Sequence, residues 1–164
     1  MPSPIPDDLP QALLAIRTRP LFTLQIDVGA LQAAGGTEGA ARRIGPIPGG
    51  SFRGERLSGR VLDGGADWQT LHSDGAVALD ARIVLEADDG GLIAMTYTGL
   101  RHGPPEVMAR LARGEAVDPA DYYFRISAAF ATSAPRHEWL NRILAVGAGH
   151  RLPGGPIYTL FELL

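Results

Sequence analysis

The chain has 164 residues, 45% of them apolar, and a formal net charge of −3, which suits one domain with a buried core. The acidic balance disfavours nucleic acid and anionic lipid as partners, because neither would meet a broad positive surface. Cysteine is absent, which excludes disulfides and thiolate chemistry, and lysine is absent too, so all 15 basic residues are arginine. Any cation in a binding site is therefore a guanidinium, which pairs with carboxylates in a two-pronged fashion.

Residues 1–19 predict an irregular or helical lead, followed by a single domain over residues 20–164. Prolines up to Pro10 interrupt regular structure, and the lead ends before Pro20. The start lacks the basic and apolar segments of a signal peptide, and no run approaches the roughly 18 apolar residues of a membrane span. We therefore expect a cytoplasmic protein with no membrane partner.

The first strand pattern covers residues 21–31, where apolar side chains alternate. A glycine-rich stretch follows, and a structureless loop of that length is uncommon in a compact domain. We expect either a paired edge segment at 42–47 or a functional lid. Seven further runs have strand character: 51–62, 67–72, 76–87, 92–101, 122–132, 139–146 and 157–163. Turns rich in aspartate and glycine join several of them, which favours antiparallel neighbours.

One helix is predicted at about residues 104–114, where Pro105 suits a helix start and an apolar stripe follows at helical spacing. The whole pattern predicts an all-β, mainly antiparallel fold. About seven or eight strands with one short helix favour a closed or nearly closed barrel, because closure removes the exposed edges of an open sheet.

Polar and aromatic residues recur in pairs that share a strand face. The pairs are Asp80/Arg82, Tyr123/Arg125 and Trp139/Asn141, together with Tyr97 and Arg101, four apart across Gly99. Successive side chains of a strand point to opposite sides, so each pair projects together. Several such pairs on one sheet would line a polar cavity with aromatic walls.

The same pairs also have a purely structural interpretation. One face of the run 76–87 is apolar and the other carries Asp80 and Arg82, as in a half-buried strand with its charges in water. The opposite orientation is found in barrels that carry polar side chains into the lumen. Burial of Asp80 and Arg82 decides between the two.

Four further positions carry two interpretations each. Trp68 is either a plug at the barrel end or a stacking wall, and Trp139 is either a core residue or part of the site. Asn141, the only asparagine, needs a partner for its amide, which is either a neighbouring loop or a ligand. His102 is either a solvated loop residue or a general base near the barrel mouth.

Five blocks of the sequence resemble the domain of unknown function 3237 family. They are GGADWQ at 64–69, LDARIVLEADDGGLI at 79–93, GLRHGPPEVMARL at 99–111, VDPADYYFR at 117–125 and WLNR at 139–142. The resemblance runs from about Leu21 to the C-terminus. It implies a small, mainly antiparallel barrel resembling the lipocalin group, and it implies no assigned reaction.

The leading hypothesis is a small-molecule pocket inside the barrel. Its predicted ligand-binding residues are Trp68, Asp80, Arg82, Tyr97, Arg101, Tyr123, Arg125, Trp139 and Asn141. The three arginines in this set favour an anionic or carbonyl-bearing ligand. No motif for a metal, a dinucleotide or a phosphate is present, so no metal and no cofactor are expected.

Two alternatives stay open. One is an enzyme that catalyses isomerisation or hydration by proton transfer, with Asp80 or His102 as the candidate catalytic residue, although Arg82 beside Asp80 would weaken that carboxylate as a base. The other is a homo-oligomeric interaction module with solvated strand faces. The sequence names neither the ligand nor the reaction.

Overall fold

A computed structural model describes residues 1–164 as an antiparallel β-barrel of eight strands, with three further strands joined to it. The strands are β1 (Thr18–Asp27), β2 (Gln32–Gly35), β3 (Ala41–Ile47), β4 (Gly49–Arg53), β5 (Ser58–Val61), β6 (Gly65–Leu71), β7 (Val77–Ala87), β8 (Leu92–His102), β9 (Tyr123–Ala131), β10 (Ala145–Leu152) and β11 (Gly155–Leu163). The helices are α1 (Pro105–Ala112) and 3₁₀ helices at Gln11–Leu13, Pro119–Asp121 and Pro135–Arg142. No helix is long and apolar enough to cross a membrane.

Strand β7 closes the barrel. The circuit runs β7-β5-β4-β1-β11-β10-β9-β8 and returns to β7, which pairs with β8 along nearly its whole length. The other edge of β7 is divided between two strands. Residues 85–87 pair with β5 and residues 77–82 pair with β6. Strands β6, β3 and β2 therefore continue from β7 as a separate wall at one end of the barrel.

The barrel interior follows from strict alternation along the strands. In β7 the inward positions are filled by small and aliphatic side chains such as Ala81, Ile83 and Leu85, all buried. The alternation places the charged residues of β7 on the opposite, solvent-exposed face. Of the two interpretations of Asp80 and Arg82, the half-buried strand is the one observed.

Two predicted elements differ from the sequence pattern. The run 139–146 is not a strand at its start, because the 3₁₀ helix Pro135–Arg142 occupies that part. Asn141 accepts a hydrogen bond from the backbone N–H of Thr132 and donates one to its carbonyl oxygen, both at 2.8 Å. These bonds fasten the end of β9 to the 3₁₀ helix, which confirms the loop partner expected for Asn141. The run 51–62 is broken into β4 and β5 by a turn.

The glycine-rich stretch is partly ordered as a hairpin. Strand β3 covers the paired segment expected at 42–47, but it is not an edge, because it pairs with β2 on one side and β6 on the other. The predicted helix is α1, somewhat shorter than expected.

An ionic contact around one buried carboxylate joins three separate parts of the chain. The Glu162 side chain in β11 accepts hydrogen bonds from Arg19 at 2.8 Å and from Arg56 at 2.6 Å. The guanidinium of Arg56 also lies 4.2 Å from the ring centre of Trp139. Burial by itself would raise the pKa of Glu162, but the two arginines outweigh it and hold the pKa below its ordinary value of 4.5.

Replacing Glu162 with glutamine should lower the free energy of unfolding by about 1–3 kcal/mol at neutral pH, because two charge-assisted hydrogen bonds are weakened. A carboxyl whose folded pKa is depressed stabilises the fold above its unfolded pKa and loses that effect as the pH falls through the folded value. The difference between wild type and Glu162→Gln should therefore shrink in acid below pH 4.5. Urea denaturation at several pH values measures it.

The matched control is Glu86→Gln, whose carboxylate pairs with the exposed Arg60. It should cost less than about 1 kcal/mol. A Glu162→Gln difference that stayed constant from neutral to acid pH would contradict the role assigned to this contact.

Candidate functional site

A cavity lies inside the barrel at the end of β8 that is far from the β7–β8 turn. The space open to the centres of water-sized molecules is about 90 Å³. Its wall is built from β3, β6, β7, β8, β9, β10 and β11, with the loop after β1 and the β10–β11 turn at the rim. Cavities with convergent polar groups among apolar walls are the usual places for small ligands.

The first row of the wall crosses three strands. Ala81 in β7 pairs with Asp67 in β6 on one side and with Tyr97 in β8 on the other, and all three point inward. Because the alanine fills almost no space, the carboxylate and the phenol on either side extend into the cavity.

The second row brings a cation beside aromatic rings. Arg101 in β8 pairs with Phe124 in β9, and its guanidinium carbon lies 5.3 Å from the centre of that ring. The ring of Phe124 in turn lies 5.3 Å from that of Tyr158 in β11. Between them β10 contributes Gly149, where a Cβ atom would approach the Phe124 ring to 2.7 Å. The glycine is what allows the two rings to meet.

A directional chain of hydrogen bonds orients the carboxylate. Arg43 Nε donates to Gln69 Oε1 at 2.7 Å, and Gln69 Nε2 donates to Asp67 Oδ2 at 2.8 Å. Asp67 Oδ1 accepts the backbone N–H of Asp80 at 3.2 Å. The side chain of Asp67 is only 4% exposed, and this burial raises its pKa above the ordinary value although the hydrogen bonds oppose the shift.

Arg101 is the unusual member of the site. It is 7% exposed, forms no salt bridge, and its Nε atom is buried without a hydrogen-bond partner among the protein's own groups. The pKa of Arg101 is lowered to about 10, mainly by burial and also by the nearby Arg151 and Arg43, while Tyr158 and Asp67 act in the opposite direction. A buried cation without a full partner is costly for a fold.

The two tyrosines of the cavity are neutral donors. Tyr97 and Tyr158 lie with their ring centres 5.5 Å apart. Burial raises the pKa of both phenols, and the nearby Asp67 carboxylate raises them further. Tyr97 also contributes to the raised pKa of Tyr158, so the two hydroxyls influence each other. The hydroxyl of Tyr158 is completely buried and, like Arg101 Nε, has no protein partner in hydrogen-bonding geometry.

The structure brings two of the nine predicted ligand-binding residues into this cavity, Tyr97 and Arg101. The other seven lie outside it: Trp68, Asp80, Arg82, Tyr123, Arg125, Trp139 and Asn141. The expectation that they line the lumen is wrong. Asp80, Arg82, Tyr123 and Arg125 share the outer face of β7 and β9, since the inward positions of these strands are occupied by apolar side chains.

Trp68, Trp139 and His102 also lie outside the cavity. Trp68 is 56% exposed on the outer side of β6, and Trp139 is half-buried beneath Arg56, so neither is a wall of the cavity. His102 is exposed and stacks on Tyr123 with ring centres 4.8 Å apart. Both candidate catalytic residues, Asp80 and His102, therefore lie outside the cavity.

Sequence reasoning missed most of the polar lining, namely Arg43, Asp67, Gln69, Arg151 and Tyr158. A signal was present at Asp67 and Gln69, two polar residues two apart that flank Trp68 in a strand. The prediction placed Trp68 inside because large apolar side chains are usually buried, whereas a pair of polar side chains that points inward is unusual. Arg43, Arg151 and Tyr158 come from distant strands and carry no local signal.

A closed antiparallel barrel with a buried, arginine-containing cavity at one end is the class of protein that this fold and site define. The chain belongs to the family described as protein of unknown function (DUF3237), whose model matches residues 16–163. A UPF0311 protein of Rhodopseudomonas palustris is 39% identical over 149 residues, which cover 91% of this chain and 97% of that protein.

Solved structures agree with the fold. The crystal structure of the R. palustris protein matches with a TM-score of 0.86 at 37% identity, over 92% of this chain and 98% of that one. A beta-barrel like protein of Acinetobacter baumannii matches with a TM-score of 0.81 at 41% identity, over 97% of this chain and 100% of that one. An enzyme from Penicillium herquei matches with a TM-score of 0.70 at 20% identity, over 91% of this chain and 95% of that one, a likeness of fold alone.

Replacing Arg101 with methionine should raise the free energy of unfolding by about 1–3 kcal/mol, because a buried, incompletely bonded cation is exchanged for an apolar side chain of similar length. Thermal and urea denaturation measure the change. The control is Arg82→Met, an exposed arginine on β7, which should stay within about 0.5 kcal/mol of wild type. Destabilisation by Arg101→Met larger than that of the control would show that Arg101 holds the fold together.

Proposed function

We propose that the barrel binds a small organic anion in its end cavity, with Arg101 as the principal anchor. The observation that carries the proposal is the buried guanidinium with an unpartnered nitrogen. A group of this kind is destabilising unless a ligand completes its hydrogen bonds, and such trade-offs are characteristic of functional sites.

The charges of the cavity favour an anion. Three guanidinium groups, those of Arg43, Arg101 and Arg151, face a single carboxylate, Asp67. Arg43 is connected to Asp67 by hydrogen bonds through Gln69, whereas no hydrogen bond connects Arg101 to Asp67. A carboxylate or enolate oxygen at Arg101 would supply the missing acceptor with favourable charge.

The walls favour a ligand with a compact apolar body. The rings of Phe124 and Tyr158 lie beside Arg101, and Leu79 and Val28 also line the cavity. The Tyr158 hydroxyl, which has no hydrogen-bond partner, offers one further donor for a carbonyl or hydroxyl oxygen. The proposed ligand class is a small carboxylate with a flat or branched apolar part.

The test compares anions with neutral amides of the same shape. Isothermal titration calorimetry compares propionate with propionamide and benzoate with benzamide. The two members of each pair differ in charge but have nearly the same size. At least one anion should bind wild type more than tenfold tighter than its amide, since hydrogen bonds to charged groups contribute about 1.5–3 kcal/mol. The variant Arg101→Met should lose that preference.

Arg82→Met is the matched control, because it removes the same charge from the outer face of the barrel. It should bind like wild type. Equal binding of anion and amide, or unchanged anion binding by Arg101→Met, would refute the proposal.

A further inference from the structure

We propose that Asp67 moves a proton at the carbon beside a carbonyl group of the bound ligand, so that the cavity interconverts the keto and enol forms of a small 2-oxo acid. The inference rests on the proposed function, since the same anion site would hold the carboxylate of the substrate.

The Asp67 carboxylate is held in a fixed orientation. An arginine only donates, so Arg43 fixes the Gln69 amide with its oxygen toward the guanidinium and its nitrogen toward Asp67. Asp67 thus accepts one bond on each oxygen, from Gln69 and from the Asp80 backbone. Each carboxylate oxygen has a second lone pair, which leaves capacity for a proton taken from a ligand in the cavity.

The environment of the Asp67 carboxylate strengthens it as a base. Asp67 is almost completely buried, and its pKa is raised by burial, which makes it a stronger base than an exposed aspartate. It nevertheless lies in a cavity with Arg101 and Tyr158, which carry donors without partners. A base and unsatisfied donors around one small space are the components that enolisation needs.

The step is balanced within the substrate and Asp67. The C–H bond beside the carbonyl breaks, and its proton forms an O–H bond on Asp67. The electron pair of the C–H bond becomes a C=C bond while the carbonyl becomes an enolate C–O⁻, which Arg101 and Tyr158 stabilise. Return of the proton from Asp67 to the enolate oxygen gives the enol, and return to carbon gives the keto acid.

The charge of the cavity favours a 2-oxo acid as the substrate. Its enolate carries one negative charge on the carboxylate and one on the former carbonyl oxygen. Arg101 and Arg151 both belong to the lining, and their mutual repulsion is among the causes that lower the pKa of Arg101. Two neighbouring anionic oxygens relieve that repulsion, and they do so more in the enolate than in the keto acid.

The experiment follows proton exchange at carbon. Exchange of the pyruvate methyl protons in deuterium oxide is measured by proton NMR, and ketonisation of phenylpyruvate enol is measured by its ultraviolet absorbance. Wild type should accelerate at least one of the two reactions above the buffer rate. Asp67→Asn should lower that acceleration at least a hundredfold, which is the lower range for loss of a general base.

Asp88→Asn is the matched control, because Asp88 is exposed in the β7–β8 turn, at the end of β8 opposite to the cavity. It should react within twofold of wild type. Equal acceleration by Asp67→Asn and wild type, or no acceleration by wild type with either probe, would overturn the inference.

Binding measurements separate this inference from the proposed function. If wild type binds anions in preference to amides but accelerates neither reaction, the anion site stands and the proton transfer is refuted. If Asp67→Asn does not fold, Asp67→Glu is used, which displaces the carboxylate by one methylene group. It should lose more than tenfold in rate while still binding anions, and an unchanged rate would again refute the role of Asp67.

Discussion

The division of one edge of β7 between β5 and β6 is the constraint on which the rest of the structure depends. One end of β7 continues into the closed barrel through β5, whereas the other end pairs with β6 and carries the β6-β3-β2 wall. The barrel therefore encloses a cavity where its sheet branches. Arg43, Asp67 and Gln69 lie on the strands that continue from that branch, whereas the other polar groups lie on β8, β10 and β11 of the closed barrel. Backbone pairing therefore holds both parts of the site in place.

The polar groups of the cavity fall into two sets with different energetics. The hydrogen bonds from Arg43 to Gln69 and from Gln69 to Asp67 give each of these side chains a partner and fix its orientation. Arg101 Nε and the Tyr158 hydroxyl are buried beside these side chains without partners. A fold selected for stability alone would not retain them, which is why the proposed ligand is built around these two residues.

Much of the architecture was predictable because it depends on local patterns. Alternation along β7, β8 and β9 and the glycine turns between strands predicted an antiparallel barrel, and Pro105 marked the start of its α-helix. The failure at 139–146 has a specific cause: Asn141 binds the backbone of Thr132, a tertiary contact that favours a 3₁₀ helix over a strand. In the site, Tyr97 and Arg101 were predicted, and the partners contributed by other strands were not.

By itself, the sequence determined which residues share a strand face. Asp80 with Arg82, Tyr123 with Arg125, and Tyr97 with Arg101 do project together, because the two-residue period is a property of the extended backbone. The fourth predicted pair, Trp139 with Asn141, was wrong, because both residues lie in a 3₁₀ helix. Only the tertiary structure decided which face is inside. That choice depends on how strands far apart in sequence close around one another, and closure turned Tyr97 and Arg101 inward while turning Asp80 and Tyr123 toward water. A period of two cannot distinguish lumen from surface, because both faces of such a strand carry the same spacing.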